Sequence, residues 1–182
     1  METNLCVAGF DGQGVMTLGK FLADATCNAT DKNVTFFPSY GAEQRGGTAN
    51  CFVVISDGLI GAPLGDVMDD LVVMNGPSLT RFLPTLKAGG RLFINSSIVD
   101  EKDIDRTDVK VVKAPVTELA LEMGNSKVLN VIMLGVYVGC TEVVPPEVVW
   151  ETIEHKLGSK PKLLPLNKAA FEKGLELGRA QR

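Results

Sequence analysis

The chain has 182 residues, 45% of them apolar and 22% charged, which suits one soluble domain with its own core and leaves too little for two. A net charge of -4 argues against a nucleic-acid partner, which calls for a basic face. No apolar run approaches the roughly 20 residues of a membrane-spanning helix, so no membrane association is expected.

In chain order, residues 4–8 form a short apolar strand that runs into Gly9-Phe10-Asp11-Gly12-Gln13-Gly14. A helix is expected over 13–30, where Val15, Leu18, Leu22 and Ala25 recur at helical spacing and make one buried stripe. Strands follow at 34–37 and 49–56. The second of these is apolar enough to be buried on both faces, and Asp57-Gly58 closes it. Further strands are expected at 71–74, 91–95 and 109–113, with a short helix over 78–86 and a Gly89-Gly90 turn between the first two.

The remainder is helical. One helix spans 116–123 and ends at Gly124-Asn125. Another spans 128–140, is apolar nearly all round and should be central. It is also the segment expected to offer an apolar patch to a partner. A third, over 146–157, starts on Pro145-Pro146, and the last, over 167–179, has Asn167 as its N-cap after a linker at 159–165. This alternation predicts a single α/β domain over 1–182: three-layer, Rossmann-like, with a mostly parallel sheet and a helical C-terminal part. The 34–37 and 49–56 strands are joined by a loop, which allows an antiparallel pair.

Cys6, Cys27, Cys51 and Cys140 are scattered and include no C-x-x-C pair, so neither zinc nor an iron–sulfur cluster is expected on this chain. They read as reduced, mostly buried thiols in a cytoplasmic protein. Residues 1–6 carry no basic stretch, so no secretory leader is expected. The lone His155 lies beside Glu151 and Glu154 on a helix and reads as a solvated residue.

Gly9, Gly12, Gln13 and Gly14 sit where α/β folds cradle phosphates, between a strand and a helix N-terminus. The order is G-x-x-G-x-G rather than G-x-G-x-x-G, and Phe37-Pro38-Ser39 stands where a ribose-binding acid belongs, so a nicotinamide site is rejected. Two readings stay open: a phosphate of a ligand shared with another chain, or glycines that only permit a tight turn. The loop 38–48 is the other unusual stretch. Gly41, Gly46 and Gly47 surround Glu43, Gln44 and Arg45, and Tyr40 adds a ring and a hydroxyl. Arg45 can clamp an oxyanion bidentately; the plainer alternative is a solvated loop with a local Glu43–Arg45 pair.

Gly9-Phe10-Asp11-Gly12-Gln13-Gly14-Val15 resembles the Gly-x-Gly-Gly-Gln-Gly-Val opening of the gamma subunits of 2-oxoacid:ferredoxin oxidoreductases, and residues 39–48 resemble that family's second signature. The likeness continues through Ile55-Ser56-Asp57, Asn95-Ser96-Ser97, Asn130 with Met133-Leu134-Gly135, and Asn167-Lys168-Ala169-Ala170-Phe171. It covers essentially the whole chain in order. Asp11 departs from it, standing where the family has glycine.

The resemblance implies a subunit that is inactive alone. Its enzyme converts a 2-oxoacid, with 2-oxoglutarate favoured, and coenzyme A to acyl-CoA and CO2 while reducing ferredoxin. Thiamine diphosphate, Mg and iron–sulfur clusters would sit on alpha, beta and delta partners. This chain would supply no catalytic residue and no metal ligand, and would meet coenzyme A or a neighbouring subunit through Tyr40, Glu43, Gln44, Arg45, Gly46 and Gly47. Pyruvate, 2-oxoisovalerate or indolepyruvate enzymes are the alternatives within the family, and a free-standing coenzyme A- or nucleotide-binding protein the alternative outside it.

Overall fold

The computed structural model describes residues 1–39 and 48–182. Its strands are β1 (Glu2–Phe10), β2 (Asn33–Ser39), β3 (Thr48–Ser56), β4 (Met68–Val73), β5 (Leu86–Asn95) and β6 (Lys110–Ala114). They form one sheet in the order β2-β3-β1-β4-β5-β6. β3 runs antiparallel to both its neighbours, and the β1–β4, β4–β5 and β5–β6 pairs are parallel. The sheet is therefore mostly parallel, with one reversed strand slotted between β2 and β1.

The helices are α1 (Val15–Ala29), α2 (Gly76–Phe82), α3 (Val116–Glu122), α4 (Leu129–Thr141), α5 (Pro146–Lys156) and α6 (Leu164–Arg179). They cover the sheet unequally. One face packs Leu5, Val7, Cys51, Val53, Val72 and Phe93 against α1 and the four C-terminal helices. The other packs Cys6, Ala8, Leu71, Val73, Leu92 and Ile94 against Leu79 and Phe82 of α2. The three-layer α/β architecture is thus the expected one, with the helical C-terminal part all on one side.

α4 is the centre of the thicker layer, and every residue from Leu129 to Cys140 is buried. Tyr137 meets Phe93 of the sheet edge-on, with ring centroids 5.1 Å apart, while the opposite side of α4 lies against α6. Glycines set that second contact. A Cβ on Gly139 would stand 2.6 Å from the Leu175 carbonyl oxygen, and one on Gly135, Gly174 or Gly178 would run into the backbone of Phe171, Ile132 or Val136. The two helices meet backbone to backbone, a separation that no larger residue permits. The expectation that residues 128–140 offer a partner an apolar patch is therefore corrected: this surface is spent inside the domain.

Asp70 of β4 is fully buried and fully used. Its carboxylate accepts from Arg91 Nε at 2.7 Å and Nη2 at 3.0 Å, and from the Tyr137 hydroxyl at 2.8 Å. Burial, reinforced by the Asp70 charge, holds the Tyr137 phenol well above its ordinary range, so it stays a donor. Three charge-assisted bonds offset the desolvation of Asp70 and tie β4, β5 and α4 together.

The start of the last helix also differs from expectation. A 3-10 turn at Pro161–Leu163 leads into α6 at Leu164, with Pro165 in its first turn. Asn167 is thus inside the helix rather than at its cap, and its Nδ2 donates back to the Leu163 carbonyl at 2.8 Å. His155 is exposed, as expected.

Gly174→Ala should destabilise the domain by roughly 2–3 kcal/mol, because the added methyl must push α6 off the α4 backbone. Gly61→Ala, whose methyl meets nothing within 4 Å, should stay within about 0.5 kcal/mol. Denaturant melts of the two variants check both.

Candidate functional site at the carboxyl edge of the sheet

β1 is followed by α1 on one face and β4 by α2 on the other, so the chain changes faces between these neighbouring parallel strands. The carboxyl ends of β1 and β4 consequently flank the crevice where open α/β sheets bind ligands. The glycine-rich turn lies at this point. The end of β2 and the start of β3 lie at the same edge, since Thr48 pairs with Phe10 and Ser39 with Asn50. The other candidate residues, Tyr40, Glu43, Gln44, Arg45, Gly46 and Gly47, lie outside the described residues. Topology brings the two strand ends that bracket them beside the turn.

Inside the turn the four candidate positions divide by role. Gln13 is 9% exposed, and its side chain is committed: Oε1 accepts the Phe10 N–H at 2.8 Å, and Nε2 donates to the Met74 carbonyl at 3.0 Å. It bridges the end of β1 to the end of β4. Gly9 is a packing glycine, because a Cβ there would lie 2.8 Å from both Gln13 Oε1 and Met74 Cβ. Gly14 caps α1 in the left-handed region, with φ 70°, and a Cβ would be 2.6 Å from Asn130 Nδ2, which donates to the Gly14 carbonyl. Gly12 alone faces open space and is exposed. Of the turn, only the Gly12 backbone has room for a ligand beside the α1 N-terminus. Asp11 next to it is exposed and sets a carboxylate against the positive end of that helix.

β4 and β5 supply a second row of polar groups. Asn75 caps α2, accepting the Ser78 N–H at 2.9 Å. Asn95, at the end of β5, donates to Thr117 Oγ1 at 2.9 Å and to the Met74 carbonyl at 3.4 Å. Asn75 and Asn95 were not among the residues expected at the site. Their signals were an Asn-Gly-Pro-Ser helix start and a polar residue closing an apolar strand.

The cysteines show no chemistry of their own. Cys6, Cys51 and Cys140 are buried and Cys27 is exposed. Burial pushes the Cys51 thiol up to about 12 and Cys6 higher, so neither is a nucleophile near neutral pH. Among the described residues no group of three or more His, Cys, Asp or Glu is placed to hold a metal, and no helix is long and apolar enough to cross a membrane.

Gln13→Ala should lower stability by about 1–3 kcal/mol, since it strips a partner from the Phe10 N–H and from the Met74 carbonyl at once. Gly12→Ala should leave stability within about 0.5 kcal/mol of the parent. Thermal melts distinguish the clamp from the open position.

A family model described as pyruvate ferredoxin/flavodoxin oxidoreductase matches residues 4–177. Ketoisovalerate oxidoreductase subunit VorA of Methanothermobacter thermautotrophicus is 35% identical over 98% of this chain, which spans only 37% of that relative. The 2-oxoglutarate synthase subunit KorC of Methanothermobacter marburgensis is 34% identical, with 97% of each chain covered. Among solved structures, the 2-oxoglutarate:ferredoxin oxidoreductase of Magnetococcus marinus, with 2-oxoglutarate, coenzyme A and succinyl-CoA bound, superposes with a TM-score of 0.91 at 26% identity, over all of this chain and 32% of that one. The chain belongs to the pyruvate ferredoxin/flavodoxin oxidoreductase family.

Proposed function

We propose that this chain is the gamma subunit of a multi-subunit 2-oxoacid:ferredoxin oxidoreductase, forming acyl-CoA and CO2 from a 2-oxoacid and coenzyme A as ferredoxin is reduced. The observation that carries this reading is the end-to-end match to KorC, a subunit of the same size. It favours 2-oxoglutarate as the substrate. The VorA similarity supports 2-oxoisovalerate as the second reading. Thiamine diphosphate with Mg and the iron–sulfur clusters, which supply the decarboxylation and electron-transfer chemistry, are assigned to alpha, beta and delta partners. The chain itself is read as a single cytoplasmic domain over residues 1–182, in line with its mostly buried thiols.

The role assigned to this chain is positioning. Its carboxyl edge would face the partner subunits and the coenzyme A they share. The Gly12 backbone offers close approach, and the loop carrying Tyr40, Glu43, Gln44 and Arg45, with Gly46 and Gly47, offers an oxyanion clamp. The coenzyme A in the Magnetococcus marinus relative supports coenzyme A as the anion's owner. Asp11 does not suit a phosphate bound on the turn alone, which leaves the charge to be met by arginine.

Native purification should recover the chain with at least two other subunits, and the complex should turn over 2-oxoglutarate faster than 2-oxoisovalerate. A fully active monomer would refute the subunit reading, and the reverse substrate order would replace 2-oxoglutarate. In that complex Arg45→Ala should weaken coenzyme A by roughly 2–5 kcal/mol, seen as a raised KM with the 2-oxoacid KM unmoved. Dissociation on dilution would instead assign Arg45 to a partner carboxylate, and normal kinetics with normal assembly would make it a solvated loop residue.

A further inference from the structure

An arginine reaches this edge from α2. Arg81 of α2 is exposed, and its Nη1 lies 3.5 Å from Thr48 Oγ1, the first residue of β3 and the partner of Phe10 at the head of the glycine turn. Its guanidinium stands 5.0 Å above the Phe82 ring, which meets Phe52 edge-on at 6.3 Å. That ring support holds the planar group in one orientation without neutralising it.

Arg81 and Arg179 have no ion-pair partner among the described residues, and of the two only Arg81 lies at the carboxyl edge of the sheet. Arg91 holds Asp70, Arg106 holds Asp108 and Arg182 holds Glu142. Arg81 has no carboxylate within 4.0 Å among the described residues. The first turn of the same helix holds two further unspent polar atoms, Asn75 Nδ2 and Ser78 Oγ, both on fully buried residues and both without a hydrogen-bond partner among the described residues. Buried polar atoms are normally paired, so two unpaired ones in the first turn of the helix that carries Arg81 mark this stretch as built for something other than its own stability.

We propose that Arg81 is a phosphate-contacting residue of this edge, taking a phosphate of coenzyme A between Thr48 and the glycine turn. The inference rests on the coenzyme A reading above and extends it to α2. The Thr48 hydroxyl adds a donor beside the guanidinium, and the Gly12 backbone leaves the approach from the turn open. A tetrahedral phosphate uses such divergent donors, whereas Asp11 at the rim turns the turn itself away from the charge.

The test uses the assembled oxidoreductase. Arg81→Ala should raise the KM for coenzyme A by about 10- to 100-fold, the loss of one charged hydrogen-bonding partner, with kcat, the 2-oxoacid KM and the sizing profile unchanged. Arg81→Lys should recover part of the loss. Dephospho-coenzyme A locates the contact: if the mutant penalty vanishes with it, Arg81 holds the 3′-phosphate, and if the penalty persists, the pyrophosphate. An unchanged coenzyme A KM overturns the inference, whether the variant is otherwise normal, shows a lowered melting temperature from losing the Phe82 contact, or loses subunits on dilution. If Arg45→Ala raises the coenzyme A KM and Arg81→Ala does not, only this inference fails. If neither does, the coenzyme A reading of the edge fails with it.

Discussion

The backbone-to-backbone contact of α4 with α6 is the constraint on which the rest of the fold depends. A helix buried on every side needs neighbours that come close enough to leave no voids, and interiors tolerate few. On one side α4 has the sheet, with Tyr137 filling the space against Phe93. On the other, Gly135 and Gly139 face Gly174 and Gly178 at four-residue spacing, so the two helices lose no distance to side chains. That economy lets one face of a six-stranded sheet carry five of the helices. The other face is left with α2 and the chain segments around it.

The unequal layering has a functional consequence. Because α1 and α2 lie on opposite faces, the carboxyl ends of β1 and β4 separate their helices and open a crevice. An opening of this kind needs bracing, and Gln13 supplies it by spanning the end of β1 and the carbonyl of Met74. Asn95 braces the same carbonyl from β5, and Asn130 on α4 holds the Gly14 carbonyl from below. The edge is therefore braced where it belongs to the scaffold, while Phe10, Asp11 and Gly12 of the turn are exposed.

Much of this was legible in the sequence. Apolar runs pointed to all six strands, and β3 and β4, buried on both faces, needed no alternation to be seen. What escaped had physical causes. β4 begins at Met68, three residues before the expected start, because Asp70 is tolerated inside the strand only through Arg91 and Tyr137, which no local pattern announces. β5 begins at Leu86 rather than Arg91 because Gly89-Gly90 is a bulge within the strand, where Met68 pairs with Leu86 and Asp70 already with Arg91. Asn167 looked like a cap because its type suits one, while the preceding 3-10 turn and Pro165 had already started the helix. At the site, glycine spacing located the turn but could not sort its members. Gly9 and Gly14 are required by what lies against them, Met74 and Asn130, and those contacts are 65 and 116 residues away in the chain.

Asp11 finally decides how the edge can treat an anion. The N-terminus of α1 presents roughly half a positive charge, and an adjacent exposed carboxylate cancels that and more. A turn with glycine at this position could hold a phosphate on backbone N–H groups alone; this one repels it unless cations stand on the other side. The chain offers two candidates, Arg45 in the segment between β2 and β3 and Arg81 on α2. On the proposed reading, charge that backbone supplies elsewhere in α/β folds comes here from side chains. Side chains are directional, and they can be contributed from loops that meet a partner subunit. On that reading Asp11 exchanges a general phosphate cradle for one whose strength depends on how the flanking elements are placed. That exchange suits the sharing of coenzyme A across a subunit junction proposed above.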